Sequence, residues 1–199
     1  MCDLIPLSTQ PQWQTITQGR LLFEQAFIMP TDAEQLYDQL FHQIDWQQLS
    51  IKMFGKEVLQ PRLQAWFGDR SYQYSGLKLS PAPIPDFLLP IQKRCEQICD
   101  SRFNSVLINL YRNGEDSMGW HQDNEAELGR NPVIASLSLG AERKFVLKHN
   151  QTSEKLAYQL SSGSLLVMAG ETQHFWKHAL PKTKRVNTPR INLTFRWIE

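Results

Sequence analysis

Apolar positions recur at two different periods along the chain, and the change of period falls near residue 103. Ahead of it, Leu36, Leu40 and Ile44 repeat at helical spacing with Tyr37 and Phe41 beside them. Thr31-Asp32-Ala33-Glu34 precedes them and reads as a capping box, so a helix is predicted over 31–43. Leu88, Ile91, Cys95 and Ile98 predict a second helix ending near Asp100. The first 30 residues mix Gln, Pro and short apolar runs and suggest an irregular arm or edge strand. Within 50–80, the run Ile51 to Lys56 predicts a turn or short hairpin at Phe54-Gly55, and Pro61 ends whatever precedes it. From 103 onward the period is two, with strands expected over 105–111, 133–139, 143–148, 156–160, 164–168, 174–179 and 190–197. Helices followed by a run of strands predict an α+β protein with a β-sandwich or barrel core.

Composition changes this picture little. With 199 residues, 41% hydrophobic and 21% charged, the chain suits one domain with a full core. It contains no apolar run near the roughly 18–20 residues needed to cross a bilayer, and its start reads as no signal peptide. Cys2, Cys95 and Cys99 form an odd set without metal-type spacing, which predicts a reducing compartment, the cytoplasm (or the nucleus of a eukaryote). Cys95 and Cys99 share a helix face and read as packing. Charge is uneven under a net +1: residues 1–50 carry Arg20 against six acids, 51–140 balance at ten and ten, and 141–199 hold ten basic residues against four acids. A basic final third is suited to phosphates, and equally to plain solvation. Lys182, Lys184 and Arg185 leave the same two readings open.

Candidate chemistry centres on His121-Gln122-Asp123 and on His178, 55 positions after Asp123. Two histidines and a carboxylate suit a facial triad for iron(II), with open positions for a chelating cosubstrate and O2. In a chain with five histidines that pattern is weak by itself. The last strand strengthens it. Ile191, Leu193, Phe195 and Trp197 face one side, while Arg190, Asn192, Thr194 and Arg196 face the other. Such a polar row belongs either in water or in a pocket where guanidinium groups grip a dicarboxylate. Asn109 and Tyr111 alternate in the same way on 105–111. His174 and His178, read as one strand, face the same side about 13 Å apart at about 3.3 Å per residue, too far for one ion. His42, on the first helix, and His149, in a loop, read as structural, and Trp120 as packing.

The segments NLYRNGEDSMGWHQDNE, PVIASLSLGAERKF, GSLLVMAGETQHFWKHALP and PRINLTFR resemble the AlkB family of iron(II)/2-oxoglutarate dioxygenases, in order over about residues 103–197. The likeness is strongest to the branch that repairs alkylated nucleic acids; FGK and YQYSG within 50–80 resemble it less specifically. The resemblance implies a single domain with a double-stranded β-helix (jelly-roll) core over 103–199. An N-terminal arm and helix would occupy 1–49, helices would pack outside the core, and a nucleotide-recognition hairpin region would span 50–80. His121, Asp123 and His178 match its iron ligands. Arg190 matches the residue holding the far carboxylate of 2-oxoglutarate, with Tyr111 as partner. Asn109, Asn192 and Arg196 match the metal-proximal end of that cosubstrate. Glu125 matches a contact to the damaged base, Tyr74 and Ser75 the pocket for the flipped base, and Phe54 a residue filling the gap in the duplex. The implied activity is oxidative demethylation of bases such as 1-methyladenine and 3-methylcytosine, consuming 2-oxoglutarate and O2 and releasing formaldehyde, succinate and CO2. DNA, single- or double-stranded, is the implied partner, with RNA as the alternative, no membrane, and a monomer. Two other readings stay open from the residues: an oxygenase acting on tRNA or protein, and a non-enzymatic metal-binding barrel.

Overall fold

A computed structural model describes residues 12–53, 56–70, 72–74 and 77–199. Strands β1 (Trp13–Ile16) and β2 (Gly19–Glu24) come first, then helix α1 (Pro30–Gln43). Short strands β3 (Ser50–Met53) and β4 (Lys56–Leu59) pair antiparallel, as do β6 (Tyr72–Tyr74) and β7 (Leu77–Leu79), with β5 (Leu63–Gly68) between the two pairs. Helix α2 (Leu89–Cys99) leads into β8 (Ser105–Tyr111), β9 (Met118–His121), β10 (Ile134–Gly140), β11 (Arg143–His149), β12 (Lys155–Leu160) and β13 (Leu165–Ala169). A one-turn helix α3 (Thr172–Phe175), β14 (Trp176–Leu180) and β15 (Arg190–Arg196) complete the chain.

Two antiparallel sheets result, of seven strands in the order β1-β2-β13-β10-β15-β8-β5 and of four in the order β12-β11-β14-β9. Both are antiparallel throughout, the arrangement of a jelly roll. Period-two alternation gives the larger sheet two unlike faces. Ile191, Leu193 and Phe195 of β15 join Ile108, Leu137 and Val167 in the main core, which the buried faces of α1 (Leu36, Leu40) and α2 (Cys95, Ile98) share. The opposite face carries Arg190, Asn192, Thr194 and Arg196, all buried. The polar row therefore points into a covered cleft and not into water. Among the described residues no helix is long and apolar enough to cross a membrane.

Several sequence expectations are corrected. The capping box does not form: Met29 is the N-cap of α1, without a side-chain bond, and Pro30 takes the first turn, where its missing N–H costs nothing. The N-terminal arm contains β2, an interior strand between β1 and β13 whose Leu21 and Leu22 are buried. Strands do not wait for residue 103, since β5 already pairs with β8. His149 ends β11 instead of lying in a loop; it is buried, its Nε2 lies 3.0 Å from the Gln18 amide oxygen, and its Nδ1 accepts from the amides of Gln151 and Thr152. Trp197 lies past the end of β15 and is exposed, as is Trp120, which does not pack in the core. His174 belongs to α3, not to a strand.

Candidate active site

The cleft between the sheets is lined from both sides. The larger sheet supplies Asn109, Tyr111, Ser136 and the polar row of β15; the smaller supplies His121, Phe145 and His178. Its space is about 500 Å³ with its mouth included. Antiparallel pairing sets His178 directly opposite His121, so two strands remote in sequence deliver two imidazoles to one point. Their ring centroids are 4.1 Å apart. Asp123 follows two residues after the end of β9 and turns back, its Oδ1 lying 3.8 Å from His121 Nε2. Ligand atoms of His121, Asp123 and His178 all lie within 4.8 Å of one another.

Hydrogen bonds orient this trio. His121 Nδ1 donates to the Gly119 carbonyl at 2.9 Å, which leaves the Nε2 lone pair facing Asp123. Asp123 Oδ2 accepts from Arg196 Nη2 at 2.8 Å, while its buried Oδ1 has no hydrogen-bond partner among the described residues. Burial pushes the Asp123 carboxyl up, but the Arg196 guanidinium, with His121 and His178 beside it, more than reverses this and holds it well below the usual carboxylate range. Burial drives the His178 imidazole down to about 3, with His121 adding to the shift and Asp123 opposing it. His121 is lowered too, first by burial. At neutral pH the site thus offers two neutral imidazoles and one ionised carboxylate oxygen left over. That is the donor set a divalent metal takes, and an orphaned buried carboxylate oxygen is costly without one.

Backbone anchoring completes the arrangement. The Asp123 amide donates to the Gln173 side-chain oxygen at 3.0 Å, and Gln122 Nε2 donates to the carbonyls of Gln173 and His174 at 2.9 Å each. The one-turn helix α3 therefore grips the His-Gln-Asp turn, three residues before the chain delivers His178.

Deeper in the cleft, Arg190 is paired in register with Tyr111, and its guanidinium lies 5.4 Å from that ring. Its Nη2 donates to Ser138 Oγ at 2.8 Å, and its Nε has no hydrogen-bond partner among the described residues. Burial lowers it to about 10, Tyr111 opposing and Arg143 adding, so it remains a cation at neutral pH. No ion pair found among the described residues includes Arg190. Asn192 lies opposite Asn109. Its amide nitrogen is committed to Ser136 Oγ and the Leu137 carbonyl, and its oxygen accepts from Thr194. Asn109 Oδ1 accepts from Arg62 Nε at 2.8 Å.

Arg62 lines the cleft and was not anticipated from the sequence. Its signal was present: Gln60, Arg62 and Gln64 form a polar row at period two, all buried, like the row on β15. Gln173 also went unnoticed, because no local pattern links it to a residue 50 positions earlier. Glu125 is half-buried at the start of a 3-10 turn and is not among the residues lining the cleft. Phe54 and Ser75 lie outside the described residues, and Tyr74 is placed only as the last residue of β6.

Comparison with known proteins agrees with this geometry. The sequence profile of the 2OG-Fe(II) oxygenase superfamily matches residues 20–196. The alpha-ketoglutarate-dependent dioxygenase alkB homolog 3 of Bos taurus is 38% identical over 182 residues, which cover 86% of this chain and 64% of that protein. The DNA oxidative demethylase ALKBH2 of Mus musculus is 35% identical over 202 residues, covering 94% and 84%. The chain spans slightly less than two thirds of the length of the first of these. Among solved structures, that of OsALKBH1 superposes with a TM-score of 0.66 at 16% identity, over 94% of this chain and all of that one, a likeness of fold.

Proposed function

From the premise that the chain belongs to the AlkB branch of the 2OG-Fe(II) oxygenase superfamily, we propose that it is an iron(II)- and 2-oxoglutarate-dependent dioxygenase that demethylates alkylated bases in DNA. One observation carries the reading: a buried, ionised carboxylate and two neutral imidazoles converge in the same cleft as the buried Arg190 guanidinium, which pairs with no carboxylate among the described residues. The first set suits a divalent cation, and the second suits the far carboxylate of a dicarboxylic cosubstrate. A structural metal alone would need no such guanidinium, which favours the oxygenase over a metal-binding barrel.

His121, Asp123 and His178 would hold the iron, and Arg190, with Tyr111 beside it, would take the far carboxylate of 2-oxoglutarate. Iron with 2-oxoglutarate and O2 supplies the oxidising power that hydroxylates an N-methyl group, which is then lost as formaldehyde. The protein's own contribution is positioning. Arg196 keeps Asp123 ionised and aimed, and the Gly119 carbonyl fixes the His121 tautomer. Asn109 and Asn192 flank the metal-proximal end, and the apolar Leu107, Met118 and Leu180 limit water in the cleft.

DNA is the assigned substrate because the relatives named as DNA demethylases are similar over nearly the whole chain. RNA is the alternative. The hairpin pairs around β5 would form the nucleotide-recognition region, with Phe54, Tyr74, Ser75 and Glu125 as contacts to the flipped base and its gap. Extruding a base costs a few kcal/mol, least for a damaged one, which favours lesions. Buried thiols at Cys95 and Cys99 suit a reducing cytoplasmic or nuclear location.

The test is anaerobic reconstitution with iron(II) and 2-oxoglutarate, then air and an oligonucleotide carrying one 1-methyladenine. Formaldehyde and restored adenine, lost in His121→Ala and Arg190→Ala, establish the reading. Succinate without formaldehyde leaves an oxygenase of another substrate, and the absence of both products overturns the assignment.

A further inference from the structure

Trp120 and four lysines occupy the outer face of the four-stranded sheet, and the chemistry of the cleft uses none of them. The registers Lys148 opposite Lys177 and Lys148 opposite Lys155 root three lysine side chains side by side on one face of β14, β11 and β12. Directly opposed residues on antiparallel strands have Cβ atoms about 4.5–5.5 Å apart, and like charges there destabilise the pairing. Lys144 projects from the same face of β11, opposite Gln159. The other outward positions of these strands hold Val146, Ala157, Gln159 and Ala179, so none of the three strands places an acid on this face. None of the ion pairs found among the described residues includes these lysines.

The edge strand β9 connects this face to the cleft. Met118 pairs with Leu180 and His121 with His178, so three steps along β9 match two along β14. That bulge lets Met118 and His121 both line the cleft and turns Trp120 outward, 46% exposed. Lys148 reaches over β14 to bring its Nζ within 4.4 Å of the Trp120 ring. From the metal-site edge outward, the face therefore presents an aromatic ring and then a cation on each of three successive strands.

We propose that this face is a docking track for the backbone of a single nucleic-acid strand flanking the base held in the cleft. Phosphates would lie along Lys177, Lys148 and Lys155, with one unpaired base against Trp120. The repulsion built into the lysine row is relieved when phosphates lie along it, and an exposed indole beside it gives a base a stacking surface. The inference rests on the nucleic-acid reading of the site.

Anisotropy titration of a labelled, unmethylated 12-nucleotide single strand against the full chain, across 50–200 mM NaCl, tests it. Lys148→Gln/Lys155→Gln/Lys177→Gln is compared with Lys93→Gln/Arg102→Gln/Arg130→Gln, which removes the same charge from exposed residues elsewhere. At about 0.7 per phosphate contact, the track variant should lose about 2 from the slope of log affinity against log salt, and bind at least about tenfold more weakly at 50 mM. Trp120→Ala should weaken binding about fivefold or more with the slope unchanged. Thermal melting of the track variant should not fall, because like charges have been removed. Wild-type slope and affinity in the track variant, or equal losses in the charge-matched control, overturn the track and leave the nucleic-acid reading intact. Absence of binding by the wild-type chain at every salt concentration, with 2-oxoglutarate still consumed, overturns both.

Discussion

Replacing Arg190 by Met should separate the cosubstrate from the fold. Arg190 is 2% exposed, donates to Ser138 Oγ at 2.8 Å, and has no carboxylate partner among the described residues. In the free protein the substitution forfeits one hydrogen bond, about 0.5–1.5 kcal/mol, and a guanidinium–ring contact of similar size. It also removes a buried, uncompensated charge, whose desolvation opposes folding. These effects offset, so the melting temperature without ligand should move by no more than a few degrees. Bound 2-oxoglutarate changes the comparison, because its far carboxylate would then be the buried group left unpaired. That costs about 2–5 kcal/mol, or roughly 30- to 5000-fold in affinity. The assay is thermal melting with Mn(II) in the absence of O2, with 2-oxoglutarate at about 100 times the wild-type Kd. Wild type should gain about 2.7 kcal/mol, or about 5–11 °C for a domain of this size. Arg190→Met should gain about 2 °C or less wherever its affinity has dropped about 100-fold or more. A variant that matches the wild-type ligand shift would refute the placement of the dicarboxylate on Arg190. A variant that loses its fold without ligand would refute the claim that this guanidinium serves the ligand more than the core.

Other substitutions probe the parts that hold the site. Gln173→Leu leaves the Asp123 amide without its acceptor, and Mn(II) affinity read by electron paramagnetic resonance should fall about 10- to 100-fold with the secondary structure intact. A Cβ on Gly114 would overlap the Thr183 carbonyl, so Gly114→Ala should destabilise by about 1–3 kcal/mol in chemical denaturation, whereas Gly119→Ala, with open space around it, should not. His178 titrates near 3 in the folded, metal-free protein and near its usual value when unfolded, so the unfolded chain binds the extra proton between them. The stability it contributes is therefore complete above about pH 6.5 and declines as pH falls toward 3, by up to about 1.4 kcal/mol per unit. Urea midpoints of the metal-free protein between pH 7 and 5 should show that decline, and His178→Leu should remove most of it.

Much of the site was legible in the sequence because it lies on strands of strict period two. Arg190, Asn192, Thr194 and Arg196 declare one face of β15 from their spacing alone, and β8 runs over the 105–111 predicted for it. His121 and Asp123 stand in one local motif. The chain itself thus determined which residues carry chemistry and which way they point along each strand. Tertiary structure decided what those directions mean. The polar row could have faced water; it faces a cleft because a second sheet covers it and helices cover the other side. His178 became the partner of His121 through the pairing of β14 with β9. His174, misread as strand, is helical because a single turn at the end of β13 receives Gln122 and holds the Asp123 turn. Gln173 stayed hidden for the same reason, and the period-two row of Gln60, Arg62 and Gln64 marks a face without showing which residue Arg62 meets. Their roles are contacts across 50 and 47 residues, and no local periodicity records which distant atoms the folded chain brings within 3 Å.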